Sequence, residues 1–296
     1  MEIGMIGVGR MGWHMAARLA AAGHKVTAFD PRPDVMEALD AIGVMPARSA
    51  GDVALCSSYT ILMVMSPAQA EEAVWSVDGY ASAASKNSTL VIMSSLSADY
   101  IAEFNRRAAG AFCVIDAPVS GGVEGAESGS LTVMASGDAG RVNEAMPLFE
   151  AVGESIYRLG DRPGLGSAMK SINQSMFLAS LVASAEMLIA GVKAGLDPNV
   201  IVEVVSKSSG DSWALRNRLP LAWRNNYESG GSLDLMVKDV RSGLELAAET
   251  GVDATVTRAA ADVVREAYER HHGIGDDPLI IETIERRSGA NLSRTE

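Results

Sequence analysis

Lys170, Asn173, Gln174 and Phe177 stand at i, i+3, i+4 and i+7, the spacing of one helix face. The segment around them is apolar. A Lys and an Asn in such a place cost free energy unless they are paired or used. A partly buried lysine can exchange a proton with an alcohol or a carbonyl. An ion pair is the equally simple alternative. Ser167-Ala168-Met169-Lys170 also matches S-x-x-K, a serine acyl-transfer signature. That chemistry needs S-D-N and K-T-G companions, and the chain has neither, nor any G-x-S-x-G. A second lysine, Lys238, lies beside Asp239 in the otherwise apolar run Leu233-Asp234-Leu235-Met236-Val237-Lys238-Asp239-Val240. By itself that pair reads equally as a surface charge pair.

At the N-terminus, Gly7-Val8-Gly9-Arg10-Met11-Gly12 follows a strand-like run and opens a helix-like one. G-x-G-x-x-G in that setting is a dinucleotide fingerprint. The first glycine makes the tight turn, the second lets backbone approach a pyrophosphate, and the third lets helix and strand pack closely. Asp30 stands 23 residues after Gly7, near the ~20 at which an acid takes a ribose hydroxyl. A carboxylate there disfavours a 2′-phosphate and points to NAD over NADP. Arg32, two residues on, can receive such a phosphate and pulls the other way. A further small-residue loop, Asp116-Ala117-Pro118-Val119-Ser120-Gly121-Gly122, follows a strand. Ser120 and the amides of Gly121 and Gly122 could hold a carboxylate; alone, a flexible glycine turn would explain them as well.

Composition narrows the partners. The 296 residues carry 25 Lys and Arg against 37 Asp and Glu, a net charge of −12. Phosphate neutralisation needs cations, so nucleic acid is excluded as a partner. The acidic surplus lies mostly before residue 160, so backbone amides must hold any pyrophosphate there. Two cysteines, Cys56 and Cys113, make a disulfide framework implausible and suit the cytoplasm. Four histidines have no metal-ligand spacing, so no metal is expected. The start has no signal-peptide pattern. The longest apolar stretch, 177–189, is broken by Ser180, Ser184 and Glu186, too short and polar for a membrane span.

The elements that must position these residues fall into two sets. Up to about 160, strand-like runs at 2–6, 25–30, 60–65, 90–93, 112–115 and 131–135 alternate with helical segments such as 10–22 and 34–41. Near-continuous apolar runs fit strands buried on both faces of a parallel sheet. The fold class expected is α/β: an N-terminal doubly wound Rossmann sheet and a C-terminal all-α domain, joined by a long helix. The boundary falls at 161–164, giving domains 1–162 and 163–296. The long helix runs from about Gly166 to Gly195, and further helices are expected at 198–206, 213–218, 234–250 and 257–271. Its circumference is mostly apolar, which predicts burial between domains or against a second subunit.

Together these segments resemble the β-hydroxyacid dehydrogenase family over nearly the whole chain. The resemblance rests on Gly7 to Gly12, Asp116 to Gly122, Gly164-Leu165-Gly166 followed by Lys170 and Asn173, and Lys238-Asp239, in that order. It implies NAD-linked hydride transfer on a small hydroxy acid, with Lys170 as the catalytic lysine. Ser120, Gly121, Gly122 and Asn173 would hold the substrate, and Lys238 would line both the cofactor and substrate sites. Ser95 would lie beside the nicotinamide, with Met65 and Ser66 on the cofactor wall. Assembly as a homodimer or homotetramer is implied too. Gln174 departs from the Asn common in the family, and with residues 210–218 it resembles the L-threonate dehydrogenase branch. Tartronate semialdehyde reduction and imine reduction are the alternatives; similar imine-reducing scaffolds usually replace the lysine by Asp or Tyr. A non-catalytic cofactor sensor would not need Lys170, Asn173 and the Ser-Gly-Gly loop together.

Overall fold

The computed structural model describes residues 1–224, 226–290 and 292; the last four residues of the expected second domain lie outside them. The chain divides into two compact units, Met1–Lys170 and Ser171–Glu296.

In the first unit, six strands form one parallel sheet: β1 (Glu2–Ile6), β2 (Lys25–Phe29), β3 (Met45–Pro46), β4 (Tyr59–Leu62), β5 (Thr89–Ile92) and β6 (Cys113–Asp116). Their order, β3-β2-β1-β4-β5-β6, is the doubly wound arrangement that places a crevice where strand order reverses beside β1. Its helices are α1 (Arg10–Ala21), α2 (Pro33–Ala38), α3 (Ala50–Leu55), α4 (Pro67–Trp75), α5 (Ala98–Ala108), α6 (Gly122–Ser128), α7 (Ala139–Glu144) and α8 (Met146–Val152). Successive strand residues serve opposite faces. Ile61 and Val91 join one core with Met15 and Leu19 of α1, while Leu62, Leu90 and Ile92 join another with Ile101 and Phe104 of α5. This two-sided burial is why the strands read as unbroken apolar runs.

The expected strand at 131–135 exists, but in a different sheet. Leu131–Ala135 (β8) pairs antiparallel with β7 (Val119–Ser120) and parallel with β9 (Gly153–Arg158). Strand pairing is non-local, and the sequence pattern does not specify the partner. α9 (Leu165–Lys193) follows. Its first turn is tied to the first unit, so compactness divides the chain at Lys170, inside the helix.

In the second unit, the rest of α9 packs with α10 (Pro198–Ser206), α11 (Trp213–Asn217), α12 (Leu219–Trp223), α13 (Leu233–Glu249), α14 (Thr255–Arg270) and α15 (Leu279–Ser288). Leu181, Ala185, Leu188, Val240, Val264 and Ile281 form part of its core. α12 and α15 were not expected: α12 is a single turn holding a proline, and the buried Ile280, Ile281 and Ile284 alternate with charges. α9 passes by length and composition as a membrane span, and only a third of its most apolar window is buried.

Candidate active site

The glycine loop performs two structural tasks and leaves one position open. Gly7 has φ +90°, and a Cβ on it would lie 2.2 Å from the Met63 carbonyl oxygen. A Cβ on Gly12 would lie 2.2 Å from the Gly7 carbonyl oxygen. Both positions therefore exclude any side chain. A Cβ on Gly9 would meet only Arg32 Nη2, at 3.9 Å. The protein itself does not require a glycine there, but a pyrophosphate approaching the backbone does. Gly9 caps α1 with no side-chain bond, and no acid stands in the first turn. The amides of Arg10, Met11 and Gly12 thus face forward at the positive end of the helix. These residues fit a dinucleotide.

Asp30 directly follows β2 and is buried, at 5% exposure. Its Oδ2 accepts from Val8 N at 2.9 Å and Arg32 Nη2 at 2.9 Å. Its Oδ1 accepts from Arg32 N at 3.1 Å and Arg32 Nε at 2.7 Å. Burial pushes the carboxyl up, but the bonds from Arg32 and Val8 outweigh it and hold Asp30 below its ordinary value. Arg32 Nη2 also reaches the Val8 carbonyl at 3.3 Å. The acid and the arginine, weighed against each other in the sequence, form one fork.

The neighbouring loops are placed by similar local rules. Ser94 Oγ accepts from Val64 N at 2.7 Å and donates to the Leu62 carbonyl at 3.2 Å, joining the ends of β4 and β5. Ser95, beside it, is half-buried. Met65 is exposed, and its N–H donates to Gln69 at 2.8 Å. Ser66 is the N-cap of α4, accepting from Gln69 N at 3.2 Å. Its hydroxyl thus has a structural task beside the cofactor role implied for it.

Ser120 ends β7, and the next two residues, Gly121 and Gly122, have φ +133° and +65°. This left-handed turn is open only to glycine and leads into α6. Behind the loop, Asp116 is fully buried at the end of β6. Its Oδ2 accepts from Gly164 N at 2.9 Å, Ser167 N at 2.8 Å and Ser136 Oγ at 3.3 Å, and its Oδ1 accepts from Ser167 Oγ at 2.7 Å. Burial raises this carboxyl above its ordinary value, against the pull of those donors. Gly166 is wedged beside them: a Cβ there would lie 2.2 Å from the Met134 carbonyl oxygen. Asp116 therefore caps α9 from outside, and Lys170 is presented one turn later. The sequence singled out Asp116 only as a strand end. Its partners at the start of α9 lie 48 and 51 residues away.

In the second unit, Asn173 Nδ2 donates to Gln174 Oε1 at 3.1 Å, and Gln174 Nε2 donates to Asp239 Oδ2 at 2.7 Å. Lys238 Nζ lies 3.8 Å from Asp239 Oδ1. Burial pulls the Lys238 ammonium below its ordinary value, and Asp239 pulls it part of the way back. α9 and α13 approach closely here because position 243 is glycine; a Cβ there would lie 1.8 Å from Ser175 Oγ. The Lys238–Asp239 pair is thus part of a polar chain that includes Gln174, the residue that departed from the family pattern.

A doubly wound unit with a forward-facing glycine loop and Lys170 at its end, followed by an all-helical unit carrying Asn173, defines a dinucleotide-dependent oxidoreductase. Residues 2–160 match the NAD binding domain of 6-phosphogluconate dehydrogenase, and residues 164–284 match the NAD-binding domain of NADP-dependent 3-hydroxyisobutyrate dehydrogenase. The chain is 31% identical to an L-threonate dehydrogenase of Cupriavidus necator over 95% of both chains. It is 35% identical to a 3-hydroxyisobutyrate dehydrogenase of Pseudomonas aeruginosa, covering 91% of this chain and 92% of that one. A solved 3-hydroxyisobutyrate dehydrogenase of Mycobacterium tuberculosis superposes with TM-score 0.86 at 29% identity, over 95% of this chain and 98% of that one. An imine reductase of Myxococcus stipitatus shares the fold, with TM-score 0.65 at 18% identity over 95% of this chain and 98% of that one. The chain belongs to the β-hydroxyacid dehydrogenase family and is an NAD-dependent enzyme acting on a hydroxy acid.

Proposed function

We propose that the chain oxidises a small hydroxy carboxylic acid of the L-threonate type, reversibly, with Lys170 as the general acid–base. The observation that carries this is the anchoring of the first turn of α9 by Asp116, one turn before Lys170. The likeness to L-threonate dehydrogenase over 95% of both chains supports the substrate class. A nicotinamide dinucleotide held by Gly7 to Gly12 and Asp30 would supply the acceptor for the hydride of the carbinol carbon. Lys170 Nζ takes up the hydroxyl proton as that hydride leaves, and returns it in the reverse direction. Ser120 and the amides of Gly121 and Gly122 hold the substrate carboxylate. Asn173 orients the reacting oxygen, and Lys238 serves both substrate and cofactor. Gly7 to Gly12 and Asp30 bind the dinucleotide, with Met65, Ser66 and Ser95 toward its nicotinamide end.

The enzyme works as a homodimer or homotetramer in the cytoplasm. Met169, Ile172, Met176 and Met187 are exposed on α9 and fall within an arc of about 60° at 100° per residue, an apolar stripe suited to a second copy. Cys56 and Cys113 are free thiols, as a reducing compartment keeps them.

The test is the absorbance of reduced nicotinamide with L-threonate, D-glycerate and 3-hydroxyisobutyrate, and with tartronate semialdehyde in reverse. No turnover on any of them with either cofactor overturns the reading. Lys170→Ala lowers turnover by roughly 10²–10⁴ while NADH still binds; near-normal turnover refutes the role of Lys170.

A further inference from the structure

The Asp30 carboxylate is saturated by its own protein. An ionised carboxylate offers about four acceptor positions. Val8 N, Arg32 N, Arg32 Nε and Arg32 Nη2 fill them, two on each oxygen. Two of these donors are backbone groups and fixed. The other two belong to one side chain that is 53% exposed. Moving that side chain frees one acceptor on each oxygen, the pair that a ribose diol requires. While it stays, the carboxylate has no position left for a ribose hydroxyl.

The guanidinium also faces outward. Among the described residues no hydrogen bond uses Arg32 Nη1, and Nη2 is the one group near the opening at Gly9. Pro31 and Pro33 flank Arg32 and hold its backbone, so the choice between positions is made by the side chain alone. A bare carboxylate repels a 2′-phosphate, but a carboxylate forked by a guanidinium presents little net charge and two further N–H donors.

We propose that Arg32 is a two-position specificity residue: folded on Asp30 it receives a 2′-phosphate, and swung away it yields Asp30 to a ribose 2′-hydroxyl. The chain then takes NADP(H) as well as NAD(H). NAD(H) binding carries the cost of displacing the side chain, because only chains with Arg32 released are competent. The proposal rests on the dinucleotide reading of the first unit and is independent of the substrate and of Lys170.

The test is calorimetric titration of the full chain with NAD⁺ and NADP⁺, which differ only in the 2′-phosphate. Their Kd ratio removes every contribution the two ligands share. The native chain binds both. Arg32→Ala raises Kd(NADP⁺)/Kd(NAD⁺) by about 10–100-fold, the worth of charge-assisted bonds. Asp30→Asn, folded by circular dichroism, moves the ratio the other way, because the like charge is gone. An Arg32→Ala ratio within twofold of the native one overturns the proposal, as does a native chain that binds NAD⁺ alone. A native chain that binds neither overturns the dinucleotide reading itself, and the proposal with it.

Discussion

Replacing Asp116 separates two ways in which a buried carboxylate can hold a helix: by its charge or by its acceptor geometry. Its Oδ2 receives two backbone N–H groups, Gly164 N and Ser167 N, which can only donate. Its Oδ1 receives the Ser167 hydroxyl, which can turn and accept instead. Asp116→Asn keeps one oxygen for the two amides and puts its NH₂ against Ser167 Oγ. The loss is only the ionic part of the bonds, partly offset by no longer burying a charge, and comes to about 1 kcal/mol. Asp116→Ala leaves both amides buried without an acceptor, at roughly 1–3 kcal/mol each, and opens a cavity. The expected cost is about 3–5 kcal/mol. Urea unfolding followed by circular dichroism measures both. Because Lys170 lies one turn beyond Ser167, Asp116→Ala also lowers kcat at temperatures where it is folded, while Asp116→Asn stays within severalfold of native. Equal destabilisation by the two variants would show that charge dominates and refute the geometric account. A loss below 1 kcal/mol in Asp116→Ala would refute the anchor altogether.

Gly12→Ala sets a methyl 2.2 Å from the Gly7 carbonyl oxygen, so α1 must move off β1. About 1–3 kcal/mol of stability is lost, the usual cost of overpacking, and NADH binding weakens with it in fluorescence titration. Acid unfolding tests the Asp30–Arg32 fork from another side. Asp30 lies below its ordinary value of 3.8 in the folded chain, so its stabilising contribution is whole above that value and lost as pH falls through the lower one. Arg32→Ala therefore loses less stability than the native chain as pH falls below about 4, having forfeited under about 1 kcal/mol beforehand at neutral pH; identical acid profiles would mean that the fork contributes nothing in solution.

The doubly wound sheet was legible because its strands are buried on both faces. Thr60, Ile61 and Leu62 all point into protein and read as one apolar run. The glycine loop was legible for a related reason: Gly7 and Gly12 are steric necessities, and such necessities leave a fixed residue type at a fixed spacing. β3 left no such trace, since Met45 and Pro46 are both exposed on a sheet edge. The separate sheet of β7, β8 and β9 was hidden because a strand's pattern carries no record of its partner. At the site, residue types could be read but not their engagement. Asp30 and Arg32 were both visible as opposing influences on the cofactor, yet nothing in the sequence says that one grips the other. The bonds of Asp116 to the start of α9 span about 50 residues, beyond the reach of any local spacing rule.

Gln174 shows how a departure from a family pattern acquires a physical reason only in three dimensions. On sequence it is an asparagine position lengthened by one methylene. In the second unit it spans from α9 to Asp239 on α13, 65 residues away, at 2.7 Å. An asparagine there would fall about one C–C bond, roughly 1.5 Å, short and lose the contact. The spacing it bridges is set by Gly243, the residue that lets α13 settle against Ser175. Asp239 is nearly fully buried, and a buried carboxylate needs donors. The neutral amide supplies the short one, while the Lys238 ammonium stands off at 3.8 Å and remains partly exposed. An amide thus fixes the carboxylate, and the carboxylate pulls the nearby Lys238 ammonium part of the way back toward its ordinary value against burial. Gln174, Asp239 and Gly243 therefore act as one unit, and the role proposed for Lys238 depends on all three.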